Sequence, residues 1–548
     1  MRRLAAILVL LWVGLSSVAA QTLTPDAPWW TQTTGPAYQV LVYSYADSDQ
    51  DGWGDFKGLQ HRLDAIASLG VQTLWLSPIH PSASYHGYDV TNYLDVDPKY
   101  GTLDDFDQLV AAAHKRGLHI VLDMVFNHTS VAHPWYQAFL KDAKSPYRDY
   151  YVWKRPGITY GGTTMGGWSR TAIDGLQVFS AFPGSMMDLD NANPAVVSEE
   201  HNILKFWLER GVDGFRFDAA KEVFNSGEMP VGSSALALNR KYWNELRDYS
   251  RTINPGVLFL GEVSNRDARE TKSYATAFDS LFDFAGAYQL STFPAAGNET
   301  RLAANLVQAY KLYQGVSGFL PAPFLTNHDQ DRTMSLNLAT VGLANAKGWG
   351  PEIVDDDRSL QAKDRALGRA RVQAAMYLTL PGMPYIYYGE ELGLVGRKYA
   401  NNDVARRDAM PWGDEDPSGD TAIWAKDTGQ LEPNQNRATP TWSAQDGDPQ
   451  SLLELYRAWG NFRKAHPVLT TAPLTLPDAK TWKGLNSGTL VAWLRGDLLL
   501  TANLGTKSQE FTVPAGRALE PLLSTGDAPE VSQSQTLPPL SATIWAMK

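Results

Sequence analysis

Asp218, Glu262 and Asp329 each follow a short apolar run. Asp218 ends Gly-Phe-Arg216-Phe-Asp218, Glu262 follows the run 257–261, and Asp329 lies in Asn327-His328-Asp329 beyond the run 319–325. A fourth run, 119–124, carries Asp123 and leads into Asn127-His128. A single carboxylate after a strand is often only the N-cap of the next helix. Three acids, two histidines and an arginine ending strands of one parallel sheet have a further use, because such ends converge on one pocket. There one carboxylate can act as a nucleophile and another, kept protonated by its surroundings, as a general acid and then a base. Arg216 stands two residues before Asp218, on the same strand face, where its charge favours an ionised carboxylate.

A second group of acids shares one loop. Asp47, Asp49, Asp51 and Asp55 fall within nine residues that also hold Gly52, Trp53 and Gly54. Oxygen ligands at the first, third, fifth and ninth places, with the backbone carbonyl of Trp53 at the seventh, resemble the opening of an EF-hand loop. The twelfth place is Gly58 rather than glutamate, so the loop is not an EF-hand. It can be a solvated acidic turn, but four clustered carboxylates repel one another unless a cation neutralises them. A structural Ca2+ far from the catalytic acids is expected.

Elements must bring these residues together. The runs 38–43, 73–76, 119–124, 214–218, 257–261, 319–325 and 385–388 read as buried strands. Amphipathic segments at 59–69, 104–116 and 197–210 lie between several of them. Strand alternating with helix predicts a parallel sheet covered on both faces. Seven such units over this length predict an α/β fold, a (β/α)8 TIM barrel, with the eighth strand near 277–284 where the signal is weak. Two connections are too long for plain loops. Residues 127–193 read as a small inserted domain after the third strand, and the polar stretch 389–450 follows the last strand. After a helix at 452–464, alternating runs at 488–495, 497–503, 510–513 and 542–547 predict a C-terminal antiparallel β-sandwich. The expected division is 1–20 signal peptide, 29–126 and 194–465 barrel, 127–193 insert and 466–548 sandwich.

The 548 residues are 44% hydrophobic and 20% charged, enough for a large core and against disorder. A net charge of −11 argues against nucleic acid as a partner and suits a neutral substrate or a bound cation. Arg2 and Arg3, the apolar stretch 4–15 and the small residues Val18-Ala19-Ala20 have the form of a secretory leader cleaved near Ala20-Gln21. The apolar stretch is too short to span a bilayer. A soluble, monomeric protein outside the cytoplasm is expected, with no membrane attachment after cleavage. The absence of cysteine leaves its stability to the core and to metal.

The four polar strand ends, in order, resemble the four motifs of the α-amylase family, glycoside hydrolase family 13. Three further segments agree: Tyr85-His86-Gly87-Tyr88-Asp89, Met187-Asp188-Leu189-Asp190, and the stretch from Pro381 to Glu391. The resemblance implies Asp218 as nucleophile, Glu262 as acid/base and Asp329 as stabiliser of an oxocarbenium-like transition state. It further implies that His86, His128 and His328 hydrogen-bond the cleaved glucose, that Tyr88 stacks beneath it and that Lys221 meets the sugar on the leaving-group side. Arg332 is placed either at the pocket border or in a structural salt bridge. The Asp-rich loop resembles the calcium loop of the oligo-1,6-glucosidase-like branch. Glu222 stands where many relatives carry histidine, Asp190 where asparagine is common, and Ala219 where valine or threonine marks linkage preference.

Four functions are consistent with these residues. The first is a secreted α-amylase cutting α-1,4 bonds in starch or maltodextrins. The others are an exo-acting α-glucosidase or oligo-1,6-glucosidase, a trehalose-synthase-like transglycosylase or isomerase, and an inactive binding subunit. The presence of all three acids argues against the last.

Overall fold

The computed structural model describes residues 28–548 except 163–164, 174, 183, 297–298, 344–356, 399–402 and 414–438. The leader 1–20 with its cleavage point, and much of the polar stretch 389–450, lie outside the described residues. Among the described residues no helix is long and apolar enough to cross a membrane.

Three strands open the barrel: β1 (Ala37–Val40), β2 (Thr73–Leu76) and β3 (His119–Met124). An excursion follows, with β4 (His128–Ser130) antiparallel to β7 (Met186–Asp188) and β5 (Gly167–Arg170) antiparallel to β6 (Gln177–Ser180). The barrel resumes with β8 (Gly214–Phe217), β9 (Leu258–Gly261), β10 (Ser280–Phe282), β11 (Leu320–Ala322) and β12 (Tyr385–Tyr387). These eight strands pair in parallel in the order β11-β10-β9-β8-β3-β2-β1-β12, and a parallel bridge from Phe324 to Tyr385 joins the two ends. The protein is therefore a TIM barrel, with the excursion after its third strand.

Strand alternation sorts the barrel side chains into two sets. Ala37, Trp75, Val121, Leu258, Leu260 and Phe282 fill one buried cluster. Leu74, Ile120, Leu122, Phe215, Phe217 and Phe259 belong to a larger one with the residues of the surrounding helices. Local signals fix several helix starts. Thr102 and Asp105 form a capping box at helix Leu103–His114, and Asn193 caps Pro194–Glu209, which has proline in its first turn.

The weak strand expected within 277–284 is Ser280–Phe282. The first strand is shorter than the run 38–43, because Val42–Tyr45 turns into a single helical turn. The segment 59–69 is two short helices, Phe56–His61 and Leu63–Ser68, broken at Arg62 (φ −97°, ψ 2°). Beyond helix Leu452–Ala465 the chain is antiparallel β: β13 (Leu474–Thr475), β14 (Leu490–Arg495), β15 (Leu498–Asn503), β16 (Gln509–Thr512), β17 (Leu519–Ser524), β18 (Ser534–Leu537) and β19 (Ser541–Met547). A five-stranded sheet (β13-β14-β15-β19-β17) and the pair β16–β18 enclose Trp482, Leu499, Phe511, Leu537 and Trp545.

Candidate active site

The carboxyl ends of β3, β8, β9 and β11 deliver the polar residues to one place. Arg216 of β8, fully buried, donates from Nη1 to Asp123 Oδ1 and Asp218 Oδ1, both at 2.8 Å, and from Nη2 to Glu262 Oε2 at 2.6 Å. One planar fork thus holds the Asp218 and Glu262 carboxylates side by side, the geometry that guanidinium suits best. The Ala219 N–H also donates to Glu262 Oε2, at 3.2 Å. Ala219 lies in the left-handed region, φ 47°.

Asp123 and Tyr88 form the next shell. Trp75 Nε1 and the Tyr88 hydroxyl each donate to Asp123 Oδ2, at 3.1 Å. His328 Nε2 stands 2.7 Å from the Tyr88 hydroxyl and 3.2 Å from Asp329 Oδ2, and its ring stacks on Tyr88 at 5.4 Å. Gln39 Nε2 lies 2.8 Å from His328 Nδ1. With Gln39 as donor, Nδ1 accepts and Nε2 carries the proton toward Tyr88 and Asp329. His86 pairs with Ser84 and accepts the Tyr88 N–H, while His128 Nε2 faces the Tyr88 carbonyl at 3.1 Å. Lys221 donates to the Ser264 carbonyl at 3.1 Å and lies 3.7 Å from Glu222.

Burial dominates the charge state. It raises Asp218 to about 6, with Asp123 and Asp329 adding to the rise and Arg216 opposing it. It raises Glu262 to about 7, again against Arg216 and with Asp218 and Asp329 adding. The sequence places Arg216 to keep Asp218 ionised. It does pull in that direction, but the loss of solvent is larger, and the proton affinity of Asp218 lies only just below that of Glu262. Burial also drives His128 down to about 4 and His328 to about 3, so both are neutral near pH 7.

Arg332 is a correction. Its buried guanidinium donates to the carbonyls of Tyr388 (2.7 Å) and Arg406 (2.9 Å) and lies over the Tyr387 and Tyr388 rings. It therefore fastens the segment after β12 from below rather than bordering the pocket. The cation at the pocket is Arg407, whose Nη2 donates to Asp329 Oδ1 at 3.0 Å. Sequence reading passes over it because it sits in a polar stretch without periodicity. Gln39 is also missed, although a lone amide inside the apolar run of β1 is a signal that could have found it.

On the loop after β1, oxygens of Asp47, Asp49 and Asp55 lie within 4.8 Å of one another. Asp47 accepts the Gln50 and Gly52 N–H groups, and Asp55 caps the next helix through Gly58 N–H. Gln50 (φ 66°) and Gly52 (φ 100°) supply the left-handed turns that curl the loop. Asp51 instead accepts the Trp53 N–H at 2.7 Å. Three converging oxygens, one from a buried carboxylate raised by desolvation and bonded to neutral donors, fit a hard cation with oxygen preference.

The family described as "Alpha amylase, catalytic domain" matches residues 39–472. Alpha-amylase 3 of Dictyoglomus thermophilum is 35% identical over 439 residues, 79% of this chain and 77% of that protein. A probable alpha-glucosidase of Rhizobium meliloti is 28% identical over 591 residues, 97% of this chain and 99% of that one. The crystal structure of the alpha-amylase from H. orenii aligns with a TM-score of 0.75 at 32% identity, covering 94% of this chain and all of that one.

Proposed function

Since the chain belongs to the α-amylase family of glycoside hydrolases, family 13, we propose that it is an α-amylase cleaving α-1,4-glucosidic bonds in starch and maltodextrins with retention of configuration. The observation that carries the hydrolytic part is the Arg216 fork, which holds the Asp218 and Glu262 carboxylates side by side at neighbouring strand ends. In this reading Asp218 attacks the anomeric carbon while the glycosidic bond breaks and the Glu262 proton passes to the leaving oxygen. Water then attacks the same carbon, Glu262 takes its proton, and the bond to Asp218 breaks. Asp329 stabilises the positive charge that develops at each step. His86, His128 and His328 bind hydroxyls of the cleaved glucose, Tyr88 packs beneath it, and Lys221 faces the leaving-group side.

The resemblance to Alpha-amylase 3 supports the α-1,4 preference. A polymer substrate has to be met outside the cytoplasm, which agrees with a cleaved leader at Ala20-Gln21. The convergence of Asp47, Asp49 and Asp55 supports a structural Ca2+ on the first loop. The near full-length similarity to a probable alpha-glucosidase favours a second reading, an exo-acting glucosidase. Product analysis on soluble starch against isomaltose separates the two. Rapid release of a mixture of malto-oligosaccharides from starch, as α-anomers in fresh product, is expected. Glucose as the sole product, or a preference for isomaltose, would favour the second reading, and β-anomers would overturn the nucleophile.

A further inference from the structure

Arg407 follows the last barrel strand and its side chain is only 6% exposed, yet it reaches the pocket. Besides the 3.0 Å contact to Asp329 Oδ1, its Nε donates to the His328 carbonyl at 3.2 Å and its Nη1 to the Tyr85 hydroxyl at 3.3 Å. The arginine is itself held. Arg406 donates from Nε and Nη2 to Asp331 Oδ1 at 3.0 and 2.9 Å, and from Nη1 to the Asp329 carbonyl at 2.7 Å and Asp403 Oδ1 at 3.0 Å. Arg332 grips the Arg406 carbonyl from beneath. Two consecutive arginines from one loop thus seize the two aspartates, Asp329 and Asp331, that follow β11.

We propose that Arg407 is a positioning residue for Asp329, gripping one carboxylate oxygen so that the anion stays fixed at the place where positive charge develops on the sugar. This rests on the reading of Asp329 as the charge-stabilising acid. The Asp329 side chain is 49% exposed, and its carboxylate is held by Arg407 at Oδ1 and by His328 at Oδ2. Around it stand His328, Arg407, Arg216 and Arg406, with Asp218, Glu262, Tyr85, Tyr88 and His86 also facing it. Loss of solvent pushes Asp329 up, but His328 first, and then Arg407, Arg216 and Arg406, outweigh it and hold the carboxyl at about 2. His328, neutral near pH 7, gives a hydrogen bond rather than a charge. The lasting cations are the three arginines, and of these Arg407 is the one bonded to the carboxylate.

A double-mutant cycle tests this with soluble starch and α-glucosyl fluoride as substrates. Arg407→Met should lower kcat on both by on the order of 10- to 100-fold, within the coupling range of residues in contact, and should leave KM for starch nearly unchanged. On an Asp329→Asn background the same substitution should change kcat by no more than about 2-fold, the ordinary additivity error. Arg407→Lys, which keeps a cation, should recover part of the loss. If Arg407→Met does not fold, Arg407→Lys is taken through the same cycle. Equal fold losses on the two backgrounds, or a loss confined to KM, would overturn the positioning role. Full activity in Asp329→Asn alone would instead overturn the reading of Asp329.

Discussion

At the scale of single residues, the pocket solves one problem of charge. Asp123, Asp218 and Glu262 share one buried guanidinium, Arg216, and the proposed chemistry needs Asp218 ionised while Glu262 keeps its proton. Burial raises both by a similar amount, and Arg216 pulls both down, so glutamate keeps its ordinary place above aspartate. With Asp218 near 6 and Glu262 near 7, kcat/KM should follow a bell. It rises as Asp218 loses its proton, falls as Glu262 loses its own, and has limbs that belong to the coupled cluster rather than to either residue. Asp329 raises both groups through its negative charge. Asp329→Asn removes that charge, so both limbs should move to lower pH while kcat falls by about 10²–10³-fold with natural and activated substrates alike. The pH–rate profile of the residual activity on soluble starch, compared with wild type, is the measurement. A basic limb that stayed in place or moved upward would mean that Asp329 does not act on Glu262 electrostatically.

At the scale of elements, the loop after β1 is the part whose role is most separable from catalysis. Asp47 is buried and has lost solvent, and its oxygens converge with those of Asp49 and Asp55. If Ca2+ binds there only in the folded state, chelation should lower the melting temperature, because a ligand of the native state stabilises it in proportion to RT ln(1 + [L]/Kd). Protein that remains folded should keep its kcat, and Asp47→Asn should abolish the chelator effect. An unchanged melting temperature after thorough chelation would remove the metal from the account. Other elements differ in how legible they are in the sequence. The barrel strands are readable because burial on both faces leaves unbroken apolar runs, and the four polar strand ends because a parallel barrel sends them to one side. Ser280–Phe282 is barely visible, because Asp279, Ser280 and Asp283 break the apolar run that the equally short β11 and β12 keep. In the sandwich, β17 and β18 escape notice because Glu520, Ser534 and Thr536 at exposed positions, and Pro521 between, look like loop. Arg407 escapes notice, and Arg332 lies below its expected border position, for a similar reason. Which of two arginines reaches a pocket depends on the path of the long connection after β12, and no local pattern encodes that path.

At the scale of the whole molecule, the C-terminal sheet is joined to the barrel by two arginines rather than by apolar packing alone. Arg495 of β14 is fully buried and donates to the carbonyls of Thr379, Leu469 (2.6 Å) and Ala472 (2.9 Å). Arg463 of the preceding helix donates to those of Leu378 (2.7 Å), Leu380 (2.9 Å) and Gly382. Both therefore grip the turn that leads from helix Asp357–Leu378 into β12, the strand whose following loop carries Arg407. Burial lowers Arg463 to about 9 and also lowers Arg495, with Arg463 repelling it. Two effects then compete in Arg495→Met. Removing one of two neighbouring buried cations relieves repulsion, but it leaves carbonyls without their donor, at about 1–3 kcal/mol for each buried one left unsatisfied. Leu469 keeps a 3.3 Å contact from Arg463, so the exposed loss falls on Thr379 and Ala472. The second effect should win, with a net destabilisation of about 2–5 kcal/mol. Equilibrium urea unfolding followed by tryptophan fluorescence, which reports on Trp493 and Trp545 in the sheet as well as on Trp75 in the barrel, should show a lower midpoint. It should also show the sheet releasing before the barrel, while starch hydrolysis in the absence of urea persists because Arg406 and Arg332 hold the Arg407 loop independently. A midpoint equal to that of wild type would mean that relief of repulsion matches the lost hydrogen bonds and that the two arginines do not join the domains.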